Sequence, residues 1–200
     1  LRYGENPHQR GAFYGDLKEY FDQLHGKEIS YNNLIDIEAA VQLIGEFDDK
    51  EIAFAILKHN NACGMAVAPS VAEAYERAFT ADTTSAFGGI LISNQRVDLA
   101  AANKINELFF EILIAPEFDE NALQILKQKK NRILLIQKQN WNREQTYRSM
   151  LNGVIVQDFD AKTDSKEDLA TVTVKRPTDS QISDLLFASK LCKHSKSNTI

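Results

Sequence analysis

The stretch Ile52-Ala53-Phe54-Ala55-Ile56-Leu57 runs directly into Lys58-His59-Asn60-Asn61-Ala62-Cys63-Gly64. A continuous apolar run of this length is typical of a strand buried on both faces and is too short for a helix of usual length. It ends at a cation and an imidazole, at the carboxyl end of the predicted strand, where open α/β sheets place their ligands. Lys58 and His59 are therefore candidate functional residues, although the same pair would also mark a strand that simply enters solvent.

The composition is that of a soluble globular protein with room for a sizeable core, since 44% of the 200 residues are hydrophobic and 26% are charged. A net charge of −5 without a basic block argues against a partner such as duplex nucleic acid, but a small phosphorylated ligand needs only two or three cations. The sequence has no bilayer-spanning apolar run and no signal peptide, so we expect no membrane association and a cytoplasmic location. Cys63 and Cys192 lack metal-ligand spacing, which predicts reduced thiols and no metal site.

Alternating apolar patterns predict a layered α/β architecture: a mixed sheet with flanking helices. Predicted strands cover about 52–57, 90–93, 110–115, 133–137 and 171–174, with a hairpin of 146–151 and 154–157 around Asn152-Gly153. Predicted helices cover about 34–47, 70–79, 97–108, 119–128 and 179–192, with Asn33 and Ser70 as N-caps and Ile182, Leu185, Leu186 and Leu191 facing inward. The charged stretch 158–166 is the predicted internal boundary, and the strand order is not recoverable from the pattern.

Two features of the predicted strands need a partner or a ligand. Glu111 is the one carboxylate in the apolar run 110–115, so it lies at an exposed strand end or has a specific partner. Gly88-Gly89 precedes the strand 90–93, which indicates that a ligand or another part of the chain approaches the backbone closely.

Several common sites are excluded by their motifs. The sequence contains no GxxxxGK[ST] phosphate loop, no GxGxxG turn, no GxSxG elbow and no HExxH helix. A deaminase-type zinc site needs His-x-Glu with Pro-Cys-x-x-Cys, and Cys63 has no such partner.

Six stretches carry a family resemblance. They are Leu1-Arg2-Tyr3-Gly4-Glu5-Asn6-Pro7-His8-Gln9, Lys27-Glu28-Ile29-Ser30-Tyr31-Asn32-Asn33-Leu34, Lys58-His59-Asn60-Asn61-Ala62-Cys63-Gly64, Ala74-Tyr75-Glu76-Arg77-Ala78-Phe79, Ser85-Ala86-Phe87-Gly88-Gly89 and Lys196-Ser197-Asn198. In this order the sequence resembles the transformylase part of the bifunctional purine biosynthesis enzymes, which combine AICAR transformylase with IMP cyclohydrolase. The resemblance implies transfer of a formyl group from the cosubstrate 10-formyltetrahydrofolate to the 5-amino group of AICAR.

The resemblance also implies an architecture. It predicts a cytidine-deaminase-like first transformylase subdomain at 1–157, followed at 158–200 by a linker, a helix and the truncated start of a second subdomain. Active sites shared across a homodimer are implied as well. A potassium ion is bound in some relatives, but backbone-carbonyl ligands leave no sequence signature, so no ligands are assigned.

The resemblance assigns roles to single residues. The amine of AICAR is a weak nucleophile, so the reaction needs proton transfer, for which His59 is suited, and oxyanion stabilisation or leaving-group protonation, for which Lys58 is suited. Since neighbours on an ideal strand point to opposite faces, the backbone must turn here for both to act. The implied substrate-binding residues are Arg2 at the phosphate, Tyr3, His8, Phe87, Gly88, Glu111, and Asn198 at the folate.

Two other interpretations remain open from the sequence. The chain, which begins at Leu1 and breaks off in an extended pattern, is expected to be a piece of a longer protein, and on its own it would then be a catalytically inert ligand-binding or dimerisation fragment. A cytidine-deaminase-like hydrolase is the other alternative, and it would require zinc ligands that the motifs lack.

Overall fold

The computed structural model of the chain describes residues 1–140, 143–196 and 199. A six-stranded sheet contains β1 (Phe21–His25), β2 (Ala53–Lys58), β3 (Asn61–Val67), β4 (Gly89–Ser93), β5 (Phe110–Ala115) and β6 (Ile133–Gln137) in the order β1-β6-β5-β4-β2-β3. The helices are α1 (Tyr31–Ile44), α2 (Val71–Ala81), α3 (Leu99–Asn106), α4 (Glu120–Leu126) and α5 (Asp179–Lys193). A separate two-stranded sheet contains β7 (Gln145–Met150) and β8 (Gly153–Asp158). The predicted α/β class, a mixed sheet with flanking helices, is confirmed.

The predicted buried strand is β2, and it lies inside the sheet between β4 and β3. Phe54 and Ile56 contribute to the core that α2, α3 and α4 cover, whereas Ala55 and Leu57 contribute to the core that α1 covers. Side chains on both faces of β2 are therefore buried, which is why its sequence is a continuous apolar run. No helix in the described part of the chain is long and apolar enough to cross a membrane.

The prediction from the sequence is wrong for the segment directly after β2. Only two residues, His59 and Asn60, separate β2 from β3, and the two strands form an antiparallel hairpin. β2 is antiparallel to β4 as well, while β4, β5 and β6 are parallel to one another. The carboxyl end of β2 therefore lies beside the amino ends of β4 and β5, so the rule for the carboxyl ends of parallel strands does not apply here. The hairpin was missed because its turn lacks the usual glycine.

The helix starts follow from capping side chains. The prediction of Asn33 as the cap of α1 is wrong: Ser30 is the N-cap, and the backbone N–H of Asn33 donates to its Oγ at 3.2 Å. Asn33 Oδ1 accepts from the Ser30 N–H at 3.2 Å and so completes a capping box. The predicted cap of α2 is confirmed, since Ser70 Oγ accepts from the Glu73 N–H at 3.2 Å.

The chain after β6 departs from the prediction in three details. The β7–β8 hairpin is present, but its turn residues are Leu151 and Asn152, with Leu151 at φ +52°, rather than Asn152 and Gly153. Residues 171–174 belong to neither sheet. Leu185 of α5, predicted to face inward, is 52% exposed, while Phe187 and Leu191 pack against the α1 side of the core. The division at residue 157 stays a prediction.

The end of α5 is held to the end of α1 by a polar cluster around Glu46. One carboxylate oxygen of Glu46 contacts Lys193 Nζ at 2.7 Å and His194 Nε2 at 2.8 Å, and the other accepts from the Thr163 hydroxyl. Only 10% of the Glu46 side chain is exposed. Burial opposes its ionisation, but the bonds from His194, Lys193 and Thr163 outweigh burial and lower the pKa of Glu46 to about 2.

We predict that Glu46→Gln lowers the free energy of unfolding at pH 7 by on the order of 2 kcal/mol, because it leaves Lys193, whose side chain is only 14% exposed, without its counter-charge. The pKa of Glu46 is lower in the folded chain than its ordinary 4.5, so this stabilisation is complete above about pH 4.5 and declines as the pH falls towards 2. Urea unfolding at several pH values measures both effects.

The matched control is Glu73→Gln, which breaks the exposed i, i+4 pair with Arg77 on α2. We expect this variant to lose no more than about 0.5 kcal/mol. Equal losses in the two variants would contradict the role given to Glu46.

Candidate active site

A cavity of about 660 Å³ opens where the carboxyl end of β2 meets the amino ends of β4 and β5 and the start of α1. Seven of the nine predicted site residues line it: Arg2, Tyr3, Lys58, His59, Phe87, Gly88 and Glu111. His8 is exposed and is not in the lining, and Asn198 lies outside the described residues. A slightly larger cavity of about 710 Å³ lies between the segment 166–177 and α5, and its lining contains no predicted site residue.

The turn after β2 is left-handed at two successive residues. His59 has φ +51° and Asn60 has φ +64°, which is the backbone of a tight turn between antiparallel strands. The backbone does turn here, as the two roles of Lys58 and His59 require, and both residues border the cavity. His59 itself is exposed.

Three parts of the chain hold this turn. The Asn60 N–H donates to Asp36 Oδ1 of α1 at 2.9 Å. The His59 carbonyl accepts from Asn61 Nδ2 at 3.3 Å and from Lys196 Nζ at 3.3 Å, and the Lys196 N–H donates to Asn61 Oδ1 at 3.3 Å. The conformation of His59 is therefore fixed by contacts from α1, β3 and the segment after α5.

Lys58 is anchored to the loop that enters β4. Its Nζ donates to the carbonyl of Phe87 at 2.9 Å, and the next residue, Gly88, has φ +74°, which a side chain would strain. The centroid of the Phe87 ring lies 4.9 Å from that of Phe109, and Phe87 is 59% exposed.

Glycine is required at position 89 for a different reason. A Cβ there would lie 2.8 Å from the carbonyl oxygen of Leu57, on the neighbouring strand. Of the two explanations for the paired glycines, chain packing therefore accounts for Gly89.

Glu111 has the partners that its place in an apolar strand predicted. Its Oε2 lies 3.3 Å from Lys27 Nζ and accepts from Asn33 Nδ2 at 3.1 Å. Asn33 is buried, and its amide thus caps α1 with one atom and holds Glu111 with the other. The pair with Lys27 is 37% exposed on each side, so it orients Glu111 more than it stabilises the fold.

Among the polar lining residues that the sequence analysis did not assign to the site are four that bond to its predicted members or to the turn: Lys27, Asn33, Asp36 and Lys196. Three of them lie within the family-like stretches 27–34 and 196–198, which was a usable signal. Asp36 had no such signal in the sequence, because a carboxylate one turn into a helix is usually solvated.

The pKa of Asp36 is raised, and burial is the main cause, to which the charge of Glu111 adds. The bond from the Asn60 N–H and the charges of His59 and Lys196 partly oppose this rise.

The cavity is balanced in charge and polar in character. Its described lining includes the cations Arg2, Lys27, Lys58 and Lys196 and the acids Glu5, Glu28, Asp36 and Glu111. The N-terminus of α1 opens onto it through Ser30, Asn32 and Asn33, and no acidic residue stands in the first turn of that helix. The positive end of the helix dipole therefore faces the cavity and favours an anionic group there. Over the residues described, no three His, Cys, Asp or Glu side chains cluster as metal ligands would.

Comparison with known sequences gives one family. Residues 1–200 match the family described as AICARFT/IMPCHase bienzyme. Over 200 residues the chain is 58% identical to the bifunctional purine biosynthesis protein PurH of Bacteroides thetaiotaomicron, covering all of this chain and 39% of that protein. It is 48% identical to PurH of Pelodictyon phaeoclathratiforme and 47% identical to PurH of Chlorobium phaeobacteroides, with 40% of each relative covered. The chain thus spans about two fifths of the length of these curated relatives.

The turn yields a prediction about Asn60. Its Oδ1 is buried and has no hydrogen-bond partner among the described residues, and its φ is left-handed. We expect Asn60→Gly to be at least as stable as the natural chain, because glycine removes both costs. Asn60→Ala, which must place a Cβ in the same conformation, should be less stable than Asn60→Gly by about 1 kcal/mol.

Urea unfolding of the two variants measures this difference. Equal stability of Asn60→Gly and Asn60→Ala would mean that the turn is not left-handed at residue 60.

Proposed function

Since the chain belongs to the AICARFT/IMPCHase bienzyme family, we propose that it carries the formyl-transfer chemistry of that family. The proposed reaction transfers a formyl group from 10-formyltetrahydrofolate to the 5-amino group of AICAR and gives FAICAR, on the way to IMP. One observation carries the proposal: the turn after β2 brings Lys58 and His59 together at a polar cavity that also contains Arg2, Gly88 and Glu111. The family resemblance of the stretches around these residues favours this activity over cyclohydrolase.

The chemistry requires a base and an oxyanion partner. The amine of AICAR attacks the formyl carbon, a C–N bond forms, and the formyl oxygen becomes an alkoxide. His59 takes a proton from the amine as this adduct forms. Lys58 uses one of its N–H donors on the Phe87 carbonyl, and its remaining donors stabilise the alkoxide. The adduct then collapses, the bond from the formyl carbon to N10 of the folate breaks, and N10 takes up a proton.

Substrate binding is proposed from the same lining. Arg2 and the N-terminus of α1 suit the phosphate of AICAR, and Tyr3 lies beside them. Glu111, oriented by Lys27 and Asn33, is an acceptor for an amino or amide group. The exposed Phe87 ring and the Gly88 backbone suit the flat folate ring system. Asn198 at the folate and His8 near the nucleotide remain proposals from the resemblance, as does a potassium ion without assigned ligands.

The alternative is a chain that is inert by itself. Formyl transfer benefits from a site closed to water, yet His59 is exposed, and the chain spans only about two fifths of its relatives. We therefore propose that a cytoplasmic homodimer, with further family segments, completes the site. The cytidine-deaminase-like character of the subdomain belongs to the same proposal.

The first prediction concerns turnover. The 200 residues are grafted into PurH of Bacteroides thetaiotaomicron in place of the stretch that matches them, and formyl transfer from 10-formyltetrahydrofolate to AICAR is measured. We expect His59→Ala to lower kcat by a factor on the order of 10² or more, because the amine then has no positioned base. His25→Gln is the control, since His25 lies outside the cavity and contacts the Lys129 carbonyl. Unchanged turnover in His59→Ala would remove His59 from the mechanism.

The second prediction concerns binding. In calorimetric titration of the 200-residue chain with AICAR, Arg2→Ala should raise the dissociation constant by about tenfold or more, because it removes a charged partner of the phosphate. Arg10→Ala, an exposed arginine of the same N-terminal segment outside the cavity lining, should leave it unchanged. Saturable binding by the natural chain that both variants retain would exclude Arg2 from the site, and no binding by the natural chain would favour the inert alternative.

A further inference from the structure

Asp36 is linked to His59 through the backbone of the turn and not through the imidazole ring. It lies on α1, one turn beyond the capping box, and its Oδ1 accepts from the Asn60 N–H at 2.9 Å. The helix that carries it is fixed by the buried side chains of Ile37, Ala40 and Val41. A carboxylate on a packed helix thus accepts a hydrogen bond from Asn60, the second residue of the turn.

The turn needs such a contact because its conformation is unfavourable. Left-handed backbone costs free energy for residues that have a Cβ, and here two of them follow each other. If the Asn60 N–H lost its acceptor, the turn would keep, of its bonds to side chains, only those from Asn61 and Lys196 to the His59 carbonyl, and other conformations would become more populated. His59 would then be directed at the cavity for less of the time, because its side-chain direction depends on its own φ.

The surroundings of Asp36 act on its ionisation in both directions. Burial is the largest effect and raises the pKa of Asp36 on balance, while the bond from the Asn60 N–H and the charges of His59 and Lys196 oppose the rise and Glu111 adds to it. A carboxylate near His59 would also favour the imidazolium that forms when His59 takes the proton of the amine.

We propose that Asp36 is a positioning residue for His59: it holds the His59–Asn60 turn in its left-handed form and thereby aims the imidazole at the substrate amine. This inference rests on the proposed function for the identity of the reaction. Asp36 acts through the backbone of Asn60 and forms no bond to the reacting atoms.

Three variants separate this role from others. Asp36→Ala removes the acceptor, whereas Asp36→Asn keeps an acceptor oxygen of nearly the same shape and removes the charge. Glu38→Gln is the matched control on the same helix, because Glu38 pairs with Arg143 and lies outside the cavity lining. Thermal melting of each 200-residue variant identifies any that is unfolded.

The first measurement is amide hydrogen exchange at Asn60 in the 200-residue chain, which needs no activity. We expect Asp36→Ala to speed this exchange by about tenfold or more, and Asp36→Asn and Glu38→Gln to leave it within about threefold of the natural chain. Unchanged exchange at Asn60 in a folded Asp36→Ala chain overturns the inference.

The second measurement is formyl transfer in the PurH graft. We expect Asp36→Ala to lower kcat by about tenfold or more, while the KM for AICAR changes by less than about threefold. Asp36→Asn should keep most of the kcat of the natural graft, because it keeps the acceptor oxygen. A graft of the natural chain that transfers no formyl group overturns the proposed function, and the catalytic meaning of Asp36 with it. An active natural graft whose Asp36→Ala variant keeps its kcat overturns the role of Asp36 alone.

Discussion

Two residues in left-handed conformation, His59 and Asn60, join β2 to β3 and set the position of the candidate site. Residues 53–57 of β2 are buried between the two cores, so Lys58 is the position at which the strand leaves the core. The two-residue turn then reverses the chain at once and leaves His59 at the rim of the cavity instead of continuing into a loop. The strain of this turn is balanced by hydrogen bonds from three separate parts of the chain.

The start of α1 serves both the fold and the cavity. Ser30 and Asn33 satisfy each other's backbone groups, as a helix start requires, and the spare amide of Asn33 reaches across to Glu111 on β5. One turn further along, Asp36 reaches the turn after β2. A helix terminus thus fixes polar groups from two strands that are not neighbours in the sheet, which a loop could do only with a larger loss of conformational entropy.

The two ends of the chain also meet at the cavity. Arg2 and Tyr3 reach it from the N-terminal segment, which the bond from Asn32 Nδ2 to the Glu5 carbonyl ties to α1. Lys196 reaches it from beyond α5, whose last turn is held by the buried Glu46 cluster. Loosening α5 would therefore withdraw a cation from the His59 carbonyl, so the stability of a distant polar cluster and the geometry of the turn are linked.

Local patterns in the sequence predicted the α/β class, four of the six strands of the main sheet, helices α1 to α5 to within a few residues, and a candidate site of which seven of nine residues line one cavity. Continuous apolar runs and capping residues are local signals, so they can be read without the fold. The fold was needed to show that β3 pairs antiparallel with β2, that Asn33 lies inside α1 and bonds Glu111, and that Asp36 and Lys196 reach the turn. The contacts of Glu111, Asp36 and Lys196 join residues far apart in the chain, and no local pattern specifies which distant partner satisfies a polar group.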